Sequence, residues 1–178
     1  RVVNTSGATD LAGNAEVGDD SPTFEIDTRK PELVPGATAV TIDTDPVYEG
    51  DLTQRVTVTF DEAMDTGTTP AIVFGHGTWT TNHDGVWSSG DTIWTVTYTL
   101  ADHDEEYYSL AESVVTVDVG GARDAAGNRQ VPRAPAPEFD IDTLQPEITE
   151  FTSVPDGGCH IAGDMIDATV RFSEHVFG

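Results

Sequence analysis

Hydrophobic and polar residues alternate with a period of two in several short stretches of the chain. Val56, Val58 and Phe60 are separated by Thr57 and Thr59, and Trp94, Val96, Tyr98 and Leu100 by Thr95, Thr97 and Thr99. Val115, Val117 and Val119 alternate with Thr116 and Asp118, and Phe139 and Ile141 alternate with Asp140 and Asp142. Successive side chains of a strand point to opposite faces, so this pattern predicts half-buried antiparallel strands. The predicted inward set includes Val58, Phe60, Trp94, Val96, Tyr98, Val117 and Ile141. Ala39 to Ile42 and Ile72 to Phe74 predict two more strands. Between these runs lie turn signals: Gly50-Asp51, Asp65-Thr66-Gly67, Asp84-Gly85, Ser89-Gly90-Asp91 and Gly120-Gly121. The run from Val131 to Pro137 carries prolines at 132, 135 and 137. Proline cannot donate to a ladder, so an extended segment at a sheet edge is expected there. No segment of helix length carries an apolar stripe of period 3.6.

The chain also repeats itself. Asp10-Leu11-Ala12-Gly13-Asn14 recurs as Asp124-Ala125-Ala126-Gly127-Asn128, 114 residues later. Phe24-Glu25-Ile26-Asp27-Thr28, closed by Pro31, recurs 115 residues later as Phe139-Asp140-Ile141-Asp142-Thr143, closed by Pro146. Gly50-Asp51-Leu52 followed by Val58-Thr59-Phe60-Asp61-Glu62 recurs as Gly163-Asp164-Met165 followed by Val170-Arg171-Phe172-Ser173-Glu174. Ordered matches at one spacing predict a tandem array with a unit of about 114 residues. In that phase residues 1–30 are the C-terminal part of one repeat, 31–145 a complete repeat and 146–178 the N-terminal part of a third. The two partial repeats hold too few strands to fold independently and are expected to pack on further sequence or on another molecule. The chain thus reads as a window on a longer protein.

About seven short strands in a unit of this length, with turns at regular intervals, predict an all-β, immunoglobulin-like antiparallel β-sandwich. The Cys-Trp-Cys signature of antibody domains is missing, so Trp94 or Trp79 must fill the core without a disulfide beside it. The ordered motifs Asp-x-Ala-Gly-Asn, Phe-x-Ile-Asp-Thr-x-x-Pro and Gly-Asp-(x)n-Val-x-Phe-x-Glu resemble the bacterial Ig-like repeats of large surface proteins. Such repeats form the extender regions of giant adhesins, including those of marine bacteria. The resemblance covers essentially the whole chain. It implies a stalk module of a secreted or cell-surface protein, stiffened by calcium between neighbouring domains.

Composition narrows the functional classes. Among 178 residues, 32 are acidic and 8 basic, for a formal charge of −24. Affinity for nucleic acid comes mainly from Lys and Arg contacts to phosphates, so a nucleic-acid partner is not expected. Binding to an anionic membrane surface is disfavoured for the same reason, and no apolar run predicts membrane insertion. Cys159 is the only cysteine, which leaves no internal disulfide framework and no zinc or redox motif. Asp outnumbers Glu by 20 to 12, and Lys30 is the single lysine. Such a surface fits salty surroundings, where charge repulsion is screened, or one that collects divalent cations.

Catalytic readings are weak. His103 with Glu105-Glu106, and His83 with Asp84, could be posed as acid/base pairs, but they fall in polar turn segments without a pocket. His76, His83, His103, His160 and His175 are scattered and read as surface or rim positions. No phosphate loop, nucleophile elbow or paired-histidine helix is present, and an enzyme is the last of the readings. Trp79 and Trp87 flank one hairpin and offer a glycan-stacking alternative.

Calcium takes six to eight oxygen ligands gathered from loops, and sandwich topology indicates which acids share a pole. Alternate loops meet at one end. At the upstream pole Asp27 of the incoming linker meets Glu62 (with Asp61 and Asp65) after the second strand, and Asp124 and Asn128 after the sixth. At the downstream pole Glu49 and Asp51 meet Asp102 and Asp104, with Glu105 and Glu106, beside the outgoing linker Asp142 and Glu174 of the next unit. These are the candidate interdomain calcium ligands. The competing reading of 124–128 is a plain turn, with Asp and Asn bonding local backbone and Gly127 at positive φ. The expected partners are neighbouring Ig-like repeats, in the same chain or in adjacent subunits, with any glycan or surface receptor held elsewhere in the parent protein. A filament or surface-layer subunit assembled head to tail is the alternative. The expected location is extracellular, at the cell surface.

Overall fold

A computed structural model describes residues 7–15, 24–82, 85–107, 109, 113–155 and 157–176. All regular structure among them is strand. Strands β1 (Val40–Ile42), β3 (Thr53–Thr59), β7 (Ile93–Leu100) and β5 (Trp79–Thr81) form one antiparallel sheet in that order, with β6 (Val86–Ser88) also paired to β7. A second sheet has the order β10 (Arg133–Phe139), β9 (Val115–Gly120), β4 (Ala71–Phe74). Short strands β2 (Val47–Tyr48), β11 (Ile141–Asp142) and β8 (Glu106–Tyr107) make a third, in which β11 runs parallel to β2. Strands β12 (Ile148–Val154) and β13 (Asp167–Phe172) pair only with each other.

The alternation of the sequence is the alternation of burial. Along β7 every second residue is buried, and Trp94, Val96, Tyr98 and Leu100 face inward. Val58 stands opposite Trp94 and Val56 opposite Val96 on β3. Val115, Val117, Val119 and Phe139 of the second sheet join them in one core, the arrangement of a β-sandwich. Aromatic rings fill its centre: Phe74 lies edge-on to Tyr98 at 5.0 Å and to Phe139 at 5.9 Å. On the outer face the threonines are half-buried, and Thr57 and Thr95 hydroxyls meet at 3.3 Å. Gly85 lies against the Trp94 indole, where a Cβ would come within 2.0 Å of the ring, so only glycine fits.

Three features differ from the sequence pattern. Two strands of two residues each, β2 and β8, carry no alternation in the sequence. The proline run is more than an extended segment: from Arg133 onward it is a paired strand, β10, and it lies at the sheet edge as proline requires. Asp140 does not point outward between Phe139 and Ile141. It is buried where the chain crosses from β10 to β11, and its Oδ1 accepts the Val114 N–H at 2.8 Å. Its own N–H donates to Asp45 at 2.9 Å and its carbonyl accepts from Val47 at 2.9 Å.

The β12–β13 pair has the register of β1 and β3. Val40, Thr41 and Ile42 stand opposite Val58, Thr57 and Val56. Phe151, Thr152 and Ser153 stand opposite Val170, Thr169 and Ala168. Leu33 bridges Phe60, and Ile148 pairs with Phe172. The difference is cover: Val58 and Phe60 are buried, whereas Phe151 is 66% exposed and Val170 and Phe172 are each 41% exposed.

Truncating a filled core and trimming a sheet surface should separate cleanly. Phe139→Ala is expected to cost about 3–5 kcal/mol in urea unfolding. Thr97→Ala, on the outer face of β7, is expected to stay within about 0.5 kcal/mol.

Candidate metal centre

The loop after β3 and the loop after β9 are laced together. Met64 N–H donates to Asp91 O at 3.0 Å and Asp65 N–H to Arg123 O at 2.8 Å, and Met64 bridges Asp124. Gln130, fully within the core, accepts from the Ala122 N–H at 3.3 Å and donates to Val119 O at 3.1 Å, holding the second loop at its base. This scaffold carries Glu62 and Asp124 to the same pole. The incoming linker joins them through Asn128, whose Nδ2 donates to Asp27 O at 3.2 Å. As a result carboxylate oxygens of Asp27, Glu62 and Asp124 lie within 4.8 Å of one another. A cleft lined by Glu25, Asp27, Ala125 and Ala126 opens beside them.

The 124–128 segment is also a well-formed turn. Asp124 Oδ1 accepts the Asn128 N–H and Oδ2 accepts Asn128 Nδ2, both at 2.8 Å, while Gly127 takes φ +89°. Asp10 and Asn14 make the same two bonds at 2.8 Å, around Gly13 at φ +85°. Local backbone bonding and membership of the acidic cluster therefore coexist in Asp124.

The acids differ in electrostatic state. Loss of hydration pushes the Glu62 carboxyl above the usual range. Arg29 pulls it back, and the charges of Asp27, Asp61 and Asp124 push further up. Its Oε1 is buried without a hydrogen-bond partner. Loss of hydration acts on Asp124 too, but the Asn128 side chain and the N–H groups of 126–128 outweigh it and hold Asp124 below its usual value. Arg29 itself pairs with Asp61 through Nη2, and its Nη1 lies 3.8 Å from Glu62 Oε1.

At the other pole the predicted residues divide. Loss of hydration raises the Glu174 carboxyl, and the charges of Asp142 and then Glu106 add to it. Asp142 Oδ1, Glu174 Oε1 and Glu105 Oε2 are buried without hydrogen-bond partners. Asp51 instead caps its own turn, accepting from the Thr53 hydroxyl at 2.6 Å and N–H at 3.1 Å. Those bonds, hydroxyl first, lower its pKa. Asp102 accepts the Asp104 N–H at 3.1 Å in a turn where Asp104 has φ +54°. Glu49 is exposed and bound by Gln145. Among the described residues, Asp27, Glu62 and Asp124 are the one trio whose ligand atoms meet at metal-site distance.

The remaining candidates are placed as follows. His103 Nδ1 is 3.9 Å from Glu105; His83 and Asp84 lie outside the described residues. His76 stacks on Tyr107 at 4.2 Å. Trp79 packs on Phe74 at 4.6 Å with its indole N–H donated to His76 O, and Trp87 packs on Trp94 at 5.0 Å. Both indoles are committed to the sandwich rather than laid side by side on its surface. Comparison with protein families, with curated proteins and with solved structures returns no match.

Opposite pH dependences are expected from half-buried Glu62 and buried Asp124. The raised Glu62 value contributes stability that is complete below the ordinary glutamate range and is lost as pH rises through the folded-state value. The lowered Asp124 value contributes stability that is complete above the ordinary aspartate range and is lost as pH falls through its folded-state value. At fixed ionic strength, Glu62→Gln should flatten the former limb of melting temperature against pH and Asp124→Asn the latter. Asp124→Asn should also cost about 1–3 kcal/mol at neutral pH, because one of its two bonds to Asn128 loses its acceptor.

Proposed function

We propose that the chain is a structural extender: tandem Ig-like domains of about 114 residues from a cell-surface or secreted protein, with calcium fixing the linkers at their junctions. The observation that carries this reading is the meeting of Asp27, Glu62 and Asp124, drawn from the linker and from two separate loops of the sandwich. The donor set is all carboxylate oxygen, the chemistry calcium prefers, with carbonyls and water completing its shell. Glu62 Oε1 is a buried acceptor without a hydrogen bond. Tandem repetition is supported by the shared register of β1–β3 and β12–β13 and by the matching turns at 10–14 and 124–128. A small domain junction without bridging contacts is expected to move. An ion held by the linker and the sandwich removes that freedom, which is what a stalk needs.

A filament subunit is the second reading. It is favoured by the open apolar side chains Phe151, Val170 and Phe172, a face that another molecule could cover. Sizing of the chain over a wide concentration range separates the two, since only the filament reading requires growth with concentration.

Calcium at a hundredfold excess over Kd is expected to add about 2.7 kcal/mol to stability. The measurement is melting temperature with calcium, magnesium or chelator at constant ionic strength, for wild type, Glu62→Ala and Asp124→Ala. Loss of the calcium increment in both variants supports the reading. An equal response to magnesium, or a full calcium response in both variants, refutes it.

A further inference from the structure

We infer that Arg29 is a tethered cation of the upstream acidic cluster and clasps the linker at 27–32 to the sandwich without added metal, a device replaced by Leu144 in the second linker. The guanidinium spans two acids, pairing with Asp61 and standing 3.8 Å from Glu62 Oε1. Asp61 is engaged from both sides, because its Oδ1 also accepts the Glu32 N–H at 2.9 Å and its own N–H donates to Glu32 O at 2.9 Å. Val131 N–H donates to Pro31 O at 2.9 Å and Asn128 to Asp27 O, so the whole linker lies along the pole.

The second linker keeps the backbone part of this arrangement and drops the charge. Asp27-Thr28-Arg29-Lys30-Pro31 corresponds to Asp142-Thr143-Leu144-Gln145-Pro146. Glu147 N–H donates to Ser173 Oγ at 2.9 Å and Ser173 N–H to Glu147 O at 2.8 Å, where the first linker uses Glu32 and Asp61. Leu144 is exposed, and among the described residues no ion pair joins an Arg or Lys to Asp142, Glu106 or Glu174. The positive group seated on the first cluster is what distinguishes it from a mere set of acids. Among the described residues the two linkers therefore differ in kind of support: an arginine ion pair at the first, and an amide bond from Gln145 to Glu49 at the second.

The inference needs no metal and is tested on the full chain in chelator at low ionic strength. Amide exchange is read at Glu32 and Asp61, with the Asn128 side-chain amide as a second probe. Val58 and Val96 amides report that the sandwich remains folded. Arg29→Leu is expected to speed exchange at the linker probes roughly two- to fivefold, the range of a solvent-exposed ion pair. Arg29→Lys should retain part of the protection. Leu144→Arg should slow Glu147 and Ser173 by a similar factor. All three differences should shrink at 1 M salt, where the Debye length is about 3 Å. Unchanged linker exchange in Arg29→Leu, or a change indifferent to salt, overturns the inference, the latter because it marks packing rather than charge. Calcium added to Arg29→Leu separates this from the metal reading. Failure to restore protection would count against calcium while leaving the role of Arg29 intact.

Discussion

The pairing of β3 with β7 is the constraint on which the rest of this structure depends. Val58 opposite Trp94 and Val56 opposite Val96 set the inner face of one sheet. A one-residue slip would turn these residues to solvent and their threonine neighbours into the core. The same register fixes where β3 ends. Phe60 N–H donates to Thr92 O at 2.8 Å, and the next bond between these same two segments is from Met64 N–H to Asp91 O at 3.0 Å. Asp61 and Glu62 are therefore held at the pole by backbone geometry, beside the 122–128 loop, before any side-chain electrostatics enters. An acidic cluster assembled in this way needs no attraction among its members, and it persists despite their mutual repulsion.

Much of this was legible in the sequence because sheets with one buried face leave a period-two signature. Val58, Phe60, Trp94, Val96, Tyr98, Val117 and Ile141 are all buried, as their alternation required. Topology then put Asp27, Glu62 and Asp124 at one end, since alternate loops of a sandwich share a pole. Legibility failed where a residue serves two neighbours at once. Asp140 looks like an outward residue by alternation, yet it sits at a crossing between sheets, where it accepts the N–H groups of Val114 and Val47 and donates its own to the Asp45 side chain. Strands of two or three residues, such as β2 and β8, carry too little pattern to be seen. At the downstream pole composition gave many acids and no means of ranking them. Asp51 and Asp102 have local backbone to bind, an option open to any short acidic side chain in a turn. Glu106, on the strand that pairs with Asp142, has the position to act on Glu174. Arg29 was invisible for a similar reason: nothing in a sequence of mixed linker charges says which acid a long side chain will meet.

Asp124 and Glu62 of the upstream cluster illustrate why identical charges need not behave alike. Asp124 is nearly inaccessible but is surrounded by N–H donors of its own turn, so burial strengthens interactions that favour the anion. Glu62 has lost water without gaining donors, and only Arg29 compensates it. The turn supplies to Asp124 what a cation would have to supply to Glu62. A positive group brought to this pole would favour Glu62 most, because Asp124 is already satisfied by its own turn.

Linker attachment divides into a shared and a charged part. The shared part is a reciprocal pair of bonds that appears at both linkers, Glu32 with Asp61 and Glu147 with Ser173, at distances between 2.8 and 2.9 Å. Ser173 can replace Asp61 there because the bond requires only an oxygen acceptor. The charged part cannot be replaced so freely. Asp61 gives the first linker a partner for Arg29, whereas the second has a hydroxyl and a leucine in the matching places and is tied by the neutral amide of Gln145 to Glu49. Hydrogen bonds of fixed length set where a linker lies. The balance of charges around it sets how strongly it stays there, and in what ionic medium. A chain of net charge −24 with a single lysine has few cations to distribute, so the placement of one arginine at one pole and not the other makes the two poles physically different despite their shared backbone.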